Sequence, residues 1–450
     1  MNKVHFIAIG GSAMHNLAIA LHLKGYHVAG SDDVFYEPSK SRLANYNLLP
    51  ETVGWDAARI TPDIDAIILG MHARLDNPEL IAAQNLGLKI YSYPEFIFEQ
   101  AKFKKRVVIG GSHGKTTITS MIMHVLNYWQ FDFDYLVGAQ LEGFDNMVRL
   151  SDSAPIMIIE GDEYLASPID RRPKFHLYQA NLAVLSGIAW DHINVFPKFE
   201  EYIAQFSKFI YTMIPGSKLF YCELDEILKN TVLENKATID KIGYGIAPHS
   251  TVDGDTFLAS GVPLKIFGNH NLMNLQAAKL ICLELGIKDI DFDTAISSFK
   301  GASKRLELLT QNLNSRVFKD FAHSPSKLKA TISAVKQQFS SQKLVACMEL
   351  HTFSSLDPKF LGEYKNAMDL ADIKIVFVDE KTFAQKNLKV LTEGEIQIAF
   401  GDNEVKYFNS SLNLINFLKE QNLVNSNFLF MSSGNFGGLD LNKLAYDLVN

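Results

Sequence analysis

The chain has 450 residues, 47% hydrophobic and 21% charged. These proportions exclude disorder and collagen-like repeats and supply a core that needs no disulfide or metal staple. Lys and Arg number 43 against 50 Asp and Glu, a net charge of −7, so there is no global attraction for nucleic acid or an anionic membrane. At roughly 150 residues per domain the length points to about three domains. Cys222, Cys282 and Cys347 match no metal-binding spacing, which fits a reducing compartment. The start, MNKVHFIAIGGSAMHN, lacks the apolar core of a signal peptide, and no stretch reaches the ~18 apolar residues of a membrane span. A cytoplasmic protein without membrane or nucleic-acid partners is expected.

In chain order, Val4–Ile9 is a short apolar strand and Gly10-Gly11 a turn, followed by a helix over Met14–Leu23 that stops at Gly25. His27–Ser31 is the next strand and ends in Asp32-Asp33. Ala66–Leu69 is a third, Pro78 opens a helix that ends near Gly87, and Leu88–Tyr91 is a fourth strand. Apolar strands separated by helices predict a parallel, doubly wound sheet. After the polar break at 103–106 the pattern restarts with strand Val107–Ile109, a glycine turn and helix Lys115–Tyr128. Strands Ile156–Glu160 and Leu182–Ser186 and helix Asn271–Leu285 follow. Residues 300–304 read as a linker. A third α/β block has strands Val317–Phe321, Leu344–Met348, Ile375–Val378 and Phe428–Met431, and a helix Lys327–Phe339. The expected domains are therefore 1–103, 104–300 and 301–450.

Residues 107–119, VVIGGSHGKTTIT, place a glycine turn and Lys-Thr-Thr between a strand and a helix. Glycines let backbone N–H groups approach phosphate oxygens, and the helix N-terminus favours negative charge. Lys115 is expected to neutralise β- and γ-phosphates and Thr116 to hold Mg²⁺. The loop is shorter than the usual phosphate loop, because Ile109 stands where a further glycine is common. Glu160 ends an apolar strand, where α/β proteins place ligands, and suits Mg²⁺; an exposed acidic turn is the alternative. Asp191-His192 follows another strand and is open between a metal or phosphate ligand and a structural role. In GNHNLMN (268–274), Asn271 and Asn274 either cap a helix or face an adenine edge. Arg305 is a candidate phosphate clamp or a solvated charge. Asp320 is a candidate ribose acceptor or a turn residue.

Taken in order, AIGGSAM (8–14), GSHGKTT (111–117), EGDE (160–163), DH (191–192), GNHNLMN (268–274), KRLE (304–307) and DFAHSP (320–325) resemble the Mur ligase family over essentially the whole chain. The resemblance implies an α/β, three-domain architecture: a Rossmann-like UDP-sugar domain, a central ATPase domain with a phosphate loop, and a Rossmann-like C-terminal domain that binds the acceptor and closes on ATP. It implies ATP and Mg²⁺ as cofactors and amide formation on UDP-N-acetylmuramate through an acyl phosphate. The ATP set would be Gly111, Ser112, His113, Gly114, Lys115, Thr116, Thr117, Asn271, Asn274, Arg305 and Asp320. Metal would be held by Thr116, Glu160 and His192. Lys115, Glu160, His192 and Arg305 would carry catalysis. Gly10, Gly11, Ser12, Met14, Asp32, His72 and His323 would contact substrate.

The stretch DEYLASPIDRRPKF (162–175) and the ending MSSGNFGGL (431–439) are most similar to family members that attach the murein tripeptide L-alanyl-γ-D-glutamyl-meso-diaminopimelate in peptidoglycan recycling. Attachment of L-alanine in primary synthesis is the alternative. A monomer or weak homodimer is expected. Gly187 and Ala189 depart from the family pattern, His351 stands in a stretch that lacks an arginine relatives carry, and Phe206 occupies the neighbourhood of a lysine that some relatives carbamylate, so no carbamate is expected. Two other readings stay open on residues alone. Gly10-Gly11 with Asp32 resembles a dinucleotide fingerprint, although Ala8 replaces its first glycine and the loop at 111–117 has no role there. The departures at Gly187, Ala189 and His351 are compatible with a non-catalytic nucleotide-binding protein.

Overall fold

The computed structural model describes residues 3–191, 195–252, 254–301, 306–386, 389–420 and 425–449. They fall into two compact units, one of residues 1–245 with 273–296 and one of 246–272 with 297–450.

The first unit contains two sheets. The smaller has strands β1 (Lys3–Ile7), β2 (His27–Ser31), β3 (Ala66–Leu69) and β4 (Ile90–Ser92), all parallel in the order β2-β1-β3-β4. The inner strand β3 is AIIL and wholly buried, whereas the edge strand β2 is buried only at its end. This is the pattern of a parallel sheet covered on both faces by helices. The larger sheet has β5 (Lys105–Gly110), β6 (Asp134–Leu136), β7 (Val148–Arg149), β8 (Ile156–Glu160), β9 (Leu182–Leu185), β10 (Lys218–Cys222) and β11 (Asp240–Tyr244). Their order is β11-β10-β9-β5-β8-β6-β7, and only β7 is antiparallel to its neighbour. The strand that precedes the glycine loop is therefore central, flanked by β8 and β9.

The second unit carries an antiparallel sheet of β12 (His249–Val252), β13 (Asp255–Leu258) and β14 (Pro263–Leu264). Its main sheet has β15 (Glu307–Gln311), β16 (Arg316–Asp320), β17 (Lys343–Glu349), β18 (Ile373–Phe377), β19 (Lys406–Phe408) and β20 (Ser426–Met431), in the order β15-β16-β20-β17-β18-β19. Side chains of β20 alternate between two cores. Leu429 and Met431 join Leu328 and Ile332 on one face, and Phe428 and Phe430 join Leu414 and Leu444 on the other. The strands and helices expected from the sequence are present to within a few residues, but helices such as Phe199–Thr212, Ser411–Glu420 and Leu441–Val449 are additional to them. It does not anticipate β6, β7, β10, β11, β15, β19 or the small antiparallel sheet.

Among the described residues no helix is long and apolar enough to cross a membrane.

Candidate active site

The loop after β5 is built so that only glycine fits at its first turn. Gly111 has φ +123°, and a Cβ there would lie 2.2 Å from Ser186 Oγ and 2.8 Å from the Ser186 backbone nitrogen. Gly114 has φ +76° and caps the helix Lys115–Tyr128 without any side-chain hydrogen bond. The first-turn N–H groups are thus left for a ligand, and the helix dipole adds to their pull on an anion. The loop is braced from β9: Ser186 N donates to Gly110 O at 3.1 Å, Ser112 N donates to Gly187 O at 3.0 Å, and Ala189 N donates to Ser112 Oγ at 2.9 Å.

These contacts explain two departures from the family pattern. Gly187 has φ +149°, and a Cβ there would meet Asp225 Oδ2 at 3.0 Å. Ala189 serves the loop through its N–H, so its side chain is free to be small. Asp225 accepts from Ile188 N at 2.7 Å and caps the helix Glu226–Glu234 through Leu228 N at 2.9 Å.

Lys115 Nζ donates to Gly111 O at 2.7 Å and to Glu163 Oε2 at 2.8 Å. Burial works against its charge, but Glu163 and then Asp162 outweigh this and raise its pKa above the ordinary lysine value. Tyr202 OH donates to Glu163 Oε1 at 3.0 Å and stands 2.9 Å from Ser112 Oγ. Glu163 is 1% exposed. A buried carboxylate therefore holds the loop lysine in place, and a phenol from the helix Phe199–Thr212 holds the carboxylate. Glu163 was legible only as part of EGDE, and nothing local to Tyr202 marks it.

Glu160 Oε1 accepts from Thr116 Oγ1 at 2.8 Å, and its Oε2 accepts from Gly138 N at 2.7 Å. Burial pushes its pKa up, against the opposing pull of these donors and Lys115. A hydroxyl and a carboxylate oxygen side by side are the hard donors that suit a Mg²⁺ ion keeping most of its waters. The third expected ligand, His192, lies outside the described residues, as does Arg305. Among the described residues no three His, Cys, Asp or Glu side chains converge on a metal-sized site. Phe206 is fully buried, edge-on to Tyr202 and to Phe175, and Lys208 is exposed.

Asn274 lies against the loop, since a Cβ on Gly114 would be 2.3 Å from its Oδ1. In the second unit, Asn271 Nδ2 donates to Phe267 O at 3.0 Å. Asp320, at the end of β16, accepts from Leu306 N at 2.6 Å, Ala322 N at 2.7 Å and Thr331 Oγ1 at 3.3 Å. It anchors the chain just past residues 302–305. His323 Nδ1 lies 2.8 Å from Phe321 O.

The N-terminal candidates gather at the carboxyl ends of β1, β2 and β3. Gly10 N donates to Asp32 Oδ2 at 2.8 Å, and a Cβ on Gly10 would lie 2.9 Å from that oxygen. Gly11 caps the helix Ser12–Leu23 with no side-chain bond, leaving a second helix terminus open. Burial pushes Asp32 up to about 6, against the hydrogen bond from Gly10. Ser12 is exposed, Met14 is buried, and His72 is exposed in the turn after β3.

Between the site and the helix Phe199–Thr212, the segment 162–175 folds back on itself. Ala166 N donates to Arg172 O at 2.9 Å, Lys174 N to Tyr164 O at 2.9 Å and Phe175 N to Asp162 O at 3.0 Å. Lys174 pairs with Asp162 at 2.5 Å. Burial disfavours the Asp162 carboxylate, but Lys174 and then Lys115 outweigh it and hold its pKa down at about 2. Next in the chain, His176 stacks on Phe175 at 4.9 Å and meets Gln205 O at 2.8 Å. Burial pushes its pKa down to about 4. An unfolded histidine titrates near 6.5, so the unfolded chain takes up a proton first on acidification. The stabilising contribution of neutral His176 is complete above pH 6.5 and is lost as pH falls toward 4. Between pH 7 and pH 4.5, His176→Gln is expected to lose about 2–3 kcal/mol less unfolding free energy than the parent. Denaturant titration at the two pH values checks this.

Residues 3–105 match the Mur ligase family, catalytic domain, and residues 109–282 match the Mur ligase middle domain. The chain is 31% identical over 416 residues to a UDP-N-acetylmuramate–L-alanine ligase from Caldicellulosiruptor bescii, covering 88% of each chain. Its fold is similar to that of the UDP-N-acetylmuramate:L-alanyl-γ-D-glutamyl-meso-diaminopimelate ligase from Neisseria meningitides, with TM-score 0.60 and 27% identity over 67% of this chain and 98% of that one. It is also similar to that of the UDP-N-acetylmuramate–alanine ligase from Thermotoga maritima, with TM-score 0.68 and 20% identity over 100% of this chain and 98% of that one. A central phosphate loop, a second glycine loop on a separate parallel sheet, and these matches lead to one assignment: the chain belongs to the Mur ligase family of ATP-dependent carbon–nitrogen ligases.

Proposed function

We propose that the protein joins UDP-N-acetylmuramate to the tripeptide L-alanyl-γ-D-glutamyl-meso-diaminopimelate, at the expense of ATP, in peptidoglycan recycling. The observation that carries this reading is the segment 162–175. Its sequence resembles the corresponding segment of tripeptide ligases, and its first residues include Glu163, the partner of the loop lysine. The 27% identity to the Neisseria protein supports the same choice. The 31% identity to the Caldicellulosiruptor protein favours the second reading, addition of L-alanine alone.

A carboxylate and an ammonium do not form an amide at a useful rate without activation. In the proposed sequence the lactyl carboxylate attacks the γ-phosphorus of ATP, ADP leaves, and the peptide α-amine displaces phosphate from the acyl phosphate. Lys115 and the first-turn N–H groups are placed to offset the negative charge on the transferring phosphoryl group. Glu163 keeps the Lys115 ammonium directed at the loop. Thr116 and Glu160 are the residues that would hold Mg²⁺, whose chemistry here is charge neutralisation on phosphate oxygens. Gly10 and Gly11 would receive the UDP diphosphate at the open terminus of Ser12–Leu23, with Asp32 beside the uridine.

For the acceptor, the loops that follow the adjacent strands β16, β20 and β17 are suited to charged groups. Ser324 Oγ, Ser433 Oγ and His351 Nδ1 are buried there without a partner among the described residues, and buried polar atoms ordinarily have one. Glu349, 1% exposed, accepts from Phe436 N at 2.9 Å and shapes the glycine-rich turn after β20.

The test is phosphate release from Mg-ATP with UDP-N-acetylmuramate and either tripeptide or L-alanine, with mass spectrometry of the product. Release and a new amide with tripeptide only are expected. Turnover with L-alanine instead would move the protein to primary synthesis.

A further inference from the structure

Glu79 is the only acidic residue in the first turn of the helix Pro78–Asn85, and its side chain is fully buried. Four groups surround its carboxylate. Ser31 Oγ donates to Oε2, and His5 Nε2 lies 3.1 Å from the same oxygen. Asp56 N donates to Oε1 at 2.9 Å, and Arg59 Nη1 lies 3.5 Å from it. Burial disfavours the charge, but His5, the Asp56 N–H and Ser31 outweigh it and hold the pKa below the ordinary glutamate value.

Two of the four partners, Ser31 and Arg59, lead to Asp32. Ser31 immediately precedes it, and Ser31 O accepts from Ala8 N at 2.9 Å and Ile9 N at 3.0 Å, fixing the approach to Gly10. Arg59 donates to Gly54 O at 2.7 Å and to Thr52 O at 2.9 Å. Gly54 N in turn donates to Asp32 O at 2.8 Å. Asp32 then accepts from Gly10 N. Glu79 thus holds both sides of Asp32: the strand before it, through Ser31, and the loop over its carbonyl, through Arg59 and Gly54.

From this geometry we infer that Glu79 is a positioning residue for the nucleotide-sugar site, setting Asp32 and the Gly10-Gly11 loop before the donor arrives. The inference rests on the reading of Gly10, Gly11 and Asp32 as the UDP-sugar site. An ordinary core polar residue would be replaceable wherever stability survives. A positioning residue affects one ligand and spares the other.

The experiment titrates UDP-N-acetylmuramate into the full-length chain by calorimetry, for the parent, Glu79→Ala, Glu79→Gln, Ser31→Ala and Asp32→Ala. Steady-state kcat and the KM values for UDP-N-acetylmuramate and ATP are measured alongside. Losing charge-assisted hydrogen bonds that fix the loop is expected to weaken UDP-N-acetylmuramate about tenfold or more in Glu79→Ala. The KM for ATP and kcat at saturating donor are expected to stay within about twofold. Glu79→Gln keeps the shape and most of the bonds, so it is expected to recover affinity to within about threefold. Ser31→Ala cuts one branch without removing a charge, and is expected to weaken the donor about threefold whether or not Glu79→Ala folds. Donor affinity within twofold of the parent for Ser31→Ala and for every folded Glu79 variant, with Asp32→Ala strongly weakened, overturns the positioning role. So does an ATP KM that rises in step with the donor KM. Unchanged donor affinity in Asp32→Ala overturns the reading of the site itself, and the inference with it.

Discussion

Lys115→Ala is expected to lower the rate of phosphate release by about 10²–10³, in line with removal of one preorganised charge-stabilising donor. It is also expected to destabilise the protein, because Glu163 would keep its buried carboxylate and lose the ammonium 2.8 Å away. Breaking a buried pair by removing one partner costs about 3–5 kcal/mol. The two effects separate in the double variant Lys115→Ala/Glu163→Gln. Its stability should return toward that of the parent, since no unpaired charge is left, while its activity stays low. Denaturant unfolding and single-turnover phosphate release on the same samples check both halves. An inactive Lys115→Ala whose double variant regains turnover would mean that the lysine serves folding alone.

Gly111→Ala is expected to weaken ATP binding by about 10²–10⁴ where Gly216→Ala leaves it intact. Both glycines have positive φ, +123° and +80°. Around Gly216 there is nothing within 4 Å of an added Cβ, so the substitution costs only the ~1–2 kcal/mol of a left-handed L-residue. At Gly111 the added carbon meets the backbone of Ser186 at 2.8 Å, and a backbone cannot rotate away as a side chain can. The loop must shift, and its N–H groups lose their common focus. Misaiming two donors to a charged phosphate costs about 3–6 kcal/mol, on the order of 10²–10⁴ in affinity. Nucleotide titration of the two variants, each first checked by thermal unfolding, gives the comparison.

The parts of the fold that read directly from the sequence are those where local pattern and tertiary role agree. β3 and β9 are continuous apolar runs because both faces are covered, and Pro78 opens a helix because Asn77 caps it. The phosphate loop reads well because strand, glycines and helix are contiguous. β12 does not, because all four of its residues are exposed and carry no hydrophobic alternation. β6 and β7 are three and two residues long, too short for periodicity to register. In the site, Lys115, Thr116 and Glu160 were legible from their own motifs. Tyr202, Asp225 and Ser186 were not, since each acts through a partner 37–90 residues away. Asp320 reads from the sequence as a ribose acceptor or a turn residue, and its bonds from Leu306, Ala322 and Thr331 are not revealed by spacing.

The first compact unit is not continuous in the chain: it ends at residue 245 and resumes at 273. Asn274, which abuts Gly114, belongs to that returning piece. A ribosome that has made the phosphate loop must therefore add about 160 more residues before the loop meets its last neighbour. At ~5–20 residues per second that interval is roughly 8–30 seconds. For the later part of it the nascent chain carries β5, β8 and β9 without the helix Asn269–Glu284, and nucleotide binding would lag behind the appearance of the loop itself.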